Sequence, residues 1–171
     1  MALIKVSNSG FSGTKGITEA DKWKLNVSAS GLSNGVELSS DIVRSNDPTF
    51  AKIGTGMSFN SGIFTFPQTG LYLVKFDFTH NTHTDNTANF FITASSDGGS
   101  SFQDVARGLE GHGNNGATYG SGTTSAFINV TNSSNFQVKF YLSSMGANFS
   151  LIGNANYDVT SFIFIRLGDS Q

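Results

Sequence analysis

The sequence predicts an all-β chain folded as one antiparallel sandwich. Short runs of alternating apolar residues recur along the chain, and clusters of Gly, Asn and Ser separate them at sandwich spacing. No window of about twelve residues carries apolar positions at i, i+3, i+4 and i+7 without a Gly interruption, so long helices are not expected. Composition points the same way. The chain has 171 residues, with 20 Gly and 16 Phe, and only 13% are charged, against a usual share of ~25%. A chain of this length suits one domain that buries roughly two-thirds of its unfolded surface.

The elements follow in order. ALIKV, residues 2–6, is a short first run, and Gly10, Gly13 and Gly16 form a tether behind it. Residues 1–16 are therefore read as an arm, a strand added to this domain, to a neighbouring copy or to another protein. Residues 17–171 form the domain. In ITEADKWKL, 17–25, Thr18 is placed to cap one helical turn ending at Asp21. WKLNVSA, 23–29, alternates Trp23, Leu25 and Val27. The lone Trp23 is read as a core or interface anchor. GIFTF, 62–66, and LYLVKFDF, 71–78, flank a Pro/Gly turn, and Tyr72, Val74, Phe76 and Phe78 share a face. ANFFITAS, 88–95, presents Phe90, Ile92 and Ala94. SFQDVARG, 101–108, is weaker. TTSAFINV, 123–130, precedes NFQVKFYL, 135–142, and VTSFIFIRL, 159–167, comes last.

Two strands break the pattern of a sheet with one wet face. The second face of 71–78 begins with Leu71 and Leu73, and Phe162-Ile163-Phe164-Ile165 is apolar on both faces. One face of each fills the core. A second copy of the chain is the simplest cover for the other, so Leu71, Leu73, Ile163 and Ile165 are the expected subunit interface. A loop folded over that face is the alternative.

Charge and cysteine content narrow the function. The net charge is −2 and the pI about 5.8. Without a basic stripe, no nucleic-acid partner is expected. No apolar run approaches the ~20 residues of a membrane span, so no membrane partner is expected either. Cysteine is absent, and the first residues lack the long apolar core of a secretion signal. Folding in a cytosol is the expectation.

The run Phe64-Thr-Phe66-Pro67-Gln-Thr-Gly70-Leu-Tyr72-Leu-Val-Lys-Phe76 resembles the signature of the jelly-roll superfamily of complement-type globular heads and tumour-necrosis-factor-like ligands. AFINV…NFQVKFYL resembles that fold's penultimate hairpin, although TNSSNF replaces its usual Gly-Asp turn. TSFIFIRLG, 160–168, resembles its last strand. The resemblance covers about residues 20–168. It implies a single jelly-roll β-sandwich of two antiparallel sheets. It also implies that the last strand lies beside 71–78 in the inner sheet and that three subunits pack around an axis. More narrowly, ITEADKWKL, IGTGMS (53–58) and SGIFTFPQTGLYLV (61–74), in this order, resemble a module in virion proteins of tailed phages of marine bacteria, cyanophages especially. That implies a virion component, with itself and a major capsid or other virion protein as partners.

Candidate chemistry is sparse. His80, His83 and Asp85 have metal-ligand types at close spacing, with His112 as a further donor, but HNTHTDNT reads first as a polar loop. Asp41, Asp47, Asp85, Asp97 and Asp104 form no D-x-D-x-D-G loop, and SSDGGSS, 95–101, reads as a turn. No metal or cofactor is expected. GLEGHGNNGATYGSG, 108–122, reads as a long surface loop. His80, His83, His112 and Tyr119 are the candidates for contact with a ligand or partner. No nucleophile elbow is present and Glu19 and Asp21 flank no evident cleft, so catalysis is not expected. The leading expectation is a capsid decoration or head-associated trimer. A receptor-binding tail-fibre or adhesin domain that recognises host glycan or protein is the alternative.

Overall fold

The computed structural model describes residues 16–50, 52–82, 87–111, 118–146 and 148–171. The expected arm strand at 2–6 lies outside them. The described residues form thirteen strands and no helix: β1 Ala20–Leu25, β2 Ala29–Ser30, β3 Val36–Glu37, β4 Ile42–Arg44, β5 Ser58–Asn60, β6 Ile63–Thr65, β7 Gly70–Thr82, β8 Thr87–Ser95, β9 Gln103–Gly111, β10 Thr118–Val130, β11 Gln137–Ser143, β12 Ser150–Leu151 and β13 Ser161–Gly168.

All pairings are antiparallel and make two sheets. β7 is the spine of the first. β10 pairs with it from Gly70 to Thr82 along one edge. Its other edge takes β13 over Leu71–Asp77 and then β12 at His80 and Asn81. β13 continues to β1, and β1 to β4. The second sheet runs β5-β6-β11-β8-β9, with β3 also on β11. The last strand thus lies between β7 and β1, where the resemblance places it.

Alternation explains the core. On β7 the even positions Tyr72, Val74, Phe76 and Phe78 turn inward, as do Phe162 and Phe164 of β13 and Val138, Phe140 and Leu142 of β11. Phe76 stacks on Phe162 with centroids 5.1 Å apart, and Phe140 lies 4.6 Å from Phe162. Phe64 of β6 meets Trp23 edge-on at 5.4 Å. Trp23 is therefore a core anchor. Such aromatic pairs add roughly 0.5–1.5 kcal/mol each beyond the area they bury.

Four sequence expectations need correction. Residues 17–21 make no helical turn: Asp21 is inside β1, and Thr18 accepts a hydrogen bond from Arg166 Nη1 instead. Val27 leaves the alternation of Trp23 and Leu25 and is exposed, because the chain bends after Leu25. AFINV and NFQVKFYL are not a hairpin. β10 pairs with β7 and β11 with β8, so TNSSNF carries the chain from one sheet to the other, fixed by the Asn132 carbonyl, which accepts from Asn135 N and Phe136 N. The 108–122 loop is largely strand, since β9 runs to Gly111 and β10 starts at Thr118.

Phe78 explains the last case. It stacks on Phe90 at 3.6 Å with nearly parallel rings. A Cβ on Gly122 would sit 2.7 Å from the Phe78 ring, and one on Gly108 would sit 3.0 Å from it. These glycines are close-approach positions of two strands, not loop flexibility. In an open strand Gly→Ala stabilises by about 0.5–1 kcal/mol. Here Gly122→Ala should destabilise by about 1–3 kcal/mol, because the ring is held by its stack. Urea unfolding reads the sign, and an unchanged or raised midpoint would contradict this packing.

Candidate functional site

The face of the first sheet turned away from the core is built by the odd residues of β7. Paired residues on neighbouring strands share a face. The register therefore lines up one apolar row across the sheet: Ile53, Ala20, Ile165, Leu73 and Phe127. Leu71 lies one step along β7 beside Asn129, and Ile163 lies in the adjacent row between Lys22 and Lys75. Leu71, Leu73, Ile163 and Ile165 are half-buried in the single chain. The ends of the row are more open, with Ile53 41% and Phe127 69% exposed. A large ring this bare, in line with half-covered Leu and Ile, makes an exposed apolar patch on this face.

The loop alternative holds for part of the face. Residues 153–158 fold over its other end. Asn154 N donates to Leu25 O at 3.0 Å, Lys24 Nζ to Ala155 O at 2.8 Å, and Lys22 Nζ pairs with Asp158 at 2.6 Å. Lys24 and Ser161 are buried there. The cover stops short of the Leu71–Ile165 end, so the sequence-predicted interface residues are brought together and left partly open.

Phe127 escaped the sequence reading, though the signal existed. Ala126-Phe127-Ile128 is apolar on both faces, the same anomaly that singled out 162–165. Ala126 and Ile128 are buried, so Phe127 must point outward.

Beside the row, two carboxylates hold the 53–57 loop. Asp21 accepts from Met57 N at 2.8 Å, Trp23 Nε1 at 2.9 Å and Arg44 Nε at 2.9 Å. Arg44 also lies over the Trp23 ring, 4.5 Å from its centroid. Glu19 accepts from Gly56 N at 2.9 Å, Thr55 N at 3.1 Å and Gln68 Nε2 at 3.0 Å. Both acids are buried. Gly56 has a φ of +75°, and a Cβ there would come within 2.7 Å of Asp21 Oδ2. These acids are structural acceptors that fix Ile53 at the end of the row.

The ligand-loop candidates do not form a site. His80 is fully buried on β7, stacked 5.3 Å from Phe149, because the strand runs four residues beyond its apolar pattern. Tyr119 is exposed on β10. His83, Asp85 and His112 lie outside the described residues. Among the described residues no group of three His, Asp or Glu side chains is placed to hold a metal ion. In the 95–101 turn, the Asp97 carboxylate is already engaged by Ser101 Oγ at 2.6 Å, Ser95 Oγ at 2.7 Å and Ser101 N at 3.0 Å. These bonds, the Ser101 hydroxyl foremost, bring its pKa down to about 2.

No family model matches the chain, and no curated protein matches it in sequence. Solved structures do match it. Murine APRIL at pH 8.5 superposes with a TM-score of 0.61 at 14% identity, over 87% of this chain and 98% of that one. Eiger TNF from S. frugiperda gives 0.59 at 12% identity, over 89% and 94%. The chain has the tumour-necrosis-factor-like jelly-roll fold. The similarity covers nearly all of both partners, and the row described above lies on that fold's sheet containing the last strand.

Two outcomes test the clamp. Asp21→Ala leaves the Met57 amide, the Trp23 indole and the Arg44 guanidinium without their acceptor, and should cost roughly 3–5 kcal/mol in urea unfolding. Tyr72, whose hydroxyl donates to Gln68 O at 3.0 Å, has its pKa pushed up to about 12, first by burial and then by the Glu19 charge. From the ordinary value of 10.0 up to about 12, only the unfolded phenol loses its proton. Stability contributed below this window is lost as pH rises through it, by up to about 1.4 kcal/mol per pH unit. Urea midpoints across the window should fall less steeply for Tyr72→Phe than for the parent chain.

Proposed function

We propose that this chain is a non-enzymatic assembly protein, a homotrimer that decorates the head of a tailed phage. The open apolar row from Ile53 to Phe127 carries the assembly reading. Covering it with water leaves large apolar area exposed on the central strands, whereas a second copy of the chain removes that area from water. Three copies is the number that the family resemblance implies.

The virion reading rests on the order of ITEADKWKL, IGTGMS and SGIFTFPQTGLYLV. Those three segments touch one another: Glu19 and Asp21 of the first bind amides of the second and Gln68 of the third. A head location is proposed over a fibre, since no repeat or coiled-coil pattern runs through residues 1–171. Major capsid protein is then the partner. The adhesin alternative would use the sandwich end near Tyr119.

Phe127→Asp puts a carboxylate at the most open end of the proposed interface. Burying it unpaired costs several kcal/mol per subunit, so association should weaken by at least about a hundredfold. Because Phe127 is exposed in the single chain, the variant should keep its circular dichroism spectrum and elute as a monomer; an unchanged oligomer would overturn the interface. Immunogold labelling of particles tests the location. Gold over the whole head is expected, gold confined to the tail would favour the adhesin, and unlabelled particles would end the virion reading.

A further inference from the structure

Lys24 is 2% exposed, yet its side chain leaves the sheet on the face away from the core. Its ammonium donates to Ala155 O at 2.8 Å and, at a longer 3.4 Å, to Asn46 Oδ1. No carboxylate lies within ion-pair distance of it among the described residues, and an ammonium has three donors, so at least one N–H is left. Beside it opens a cleft of about 150 Å³, lined by Lys24, Asn46, Asp47, Asn156, Tyr157 and Asp158. A cavity of about this size holds one six-membered ring.

The walls are set before any ligand arrives. Asn154 Oδ1 accepts from Asn156 N at 2.8 Å and from Tyr157 N at 3.3 Å, which fixes the loop as an Asx turn. Asp158 is held between Lys22 Nζ at 2.6 Å and Ser45 Oγ at 2.9 Å. Thr49 donates its hydroxyl and its amide to Asp47 Oδ1, which keeps that carboxylate ionised at the rim. The Asn156 amide side chain and the Tyr157 hydroxyl have no hydrogen-bond partner among the described residues, and Tyr157 is 63% exposed.

We propose that this cleft binds a single neutral pyranose, the terminal sugar of a glycan. Vicinal hydroxyls each donate and accept, and the cleft offers an ammonium, two amides and two carboxylates within one ring's reach. The exposed Tyr157 ring supplies a flat apolar surface for the C–H face of a sugar. An anionic ligand fits less well, because Asp158 is already paired with Lys22 and the Asp47 carboxylate faces the Lys24 ammonium, which leaves no excess positive charge in the cleft. The cleft is distinct from the apolar row and from the end carrying Tyr119. A monomeric chain would keep it, and a trimer without sugar affinity would refute the cleft alone.

Saturation-transfer NMR on the full chain tests this, with the methyl pyranosides of glucose, galactose, mannose and N-acetylglucosamine as probes and glucuronate as the anionic comparison. Transfer from at least one neutral pyranoside is expected, with a dissociation constant on the order of 1 mM. Tyr157→Ala, on an exposed turn, should weaken it by about tenfold or more while leaving the fold intact, and Lys24→Gln should do the same if it folds. No transfer from any neutral pyranoside overturns the proposal. So does transfer from glucuronate alone, or transfer that Tyr157→Ala leaves unchanged.

Discussion

β7 has both edges paired and must have both faces covered, and the rest of the molecule is arranged around that constraint. β10 satisfies one edge over its full length, and β13 and β12 share the other. A strand so placed has most of its backbone groups paired, so its side chains largely decide what it touches. Inward, the aromatic lattice of Phe76, Phe78, Phe90, Phe140 and Phe162 fills the space between the sheets. Outward, the 153–158 loop closes one end and stops. The remaining end, from Leu71 through Ile165 to Phe127, stays partly open in the single chain. Self-association is the consequence we propose for a central strand whose outer face begins with two leucines.

The second organising contact is the pair of buried carboxylates on β1. Buried charge is tolerated only with full hydrogen bonding. Here backbone amides of 55–57, Gln68, Trp23 and Arg44 provide it. The clamp ties the first strand to the segment before β5 and to the turn before β7. ITEADKW, IGTGMS and FPQTGLY each supply part of this one hydrogen-bonded unit. It also positions Ile53 at the edge of the apolar row, so the same acids that stabilise the fold shape the surface.

Long strands with clean alternation were legible in the sequence, because period two directly encodes a two-faced element. β7, β8, β11 and β13 fall where the alternation puts them, apart from their ends. The two- and three-residue strands β2, β3, β4, β5 and β12 were not legible, since so few residues hold no period and are set by the neighbours they pair with. His80 was misread because polar letters after Phe78 look like a loop, whereas pairing with β10 carries β7 onward and Phe149 covers the imidazole. The glycines of 108–122 look flexible in sequence and are required for close approach to Phe78 in space. Of the apolar outer face, Leu71, Leu73, Ile163 and Ile165 were readable from apolarity on both faces. Phe127 obeyed the same rule, and Ile53 did not, because an isolated backbone bridge to Ala20, beside the carboxylate clamp, places it there.

Sedimentation equilibrium of the purified chain at about 10 μM tests most directly whether the open face is an interface, since a specific interface of standard size holds together well below that concentration. A mass three times that of the 18.1 kDa chain is predicted. The mass of a single chain would contradict it, and would mean that Phe127, Leu73 and Ile165 face water in the finished protein.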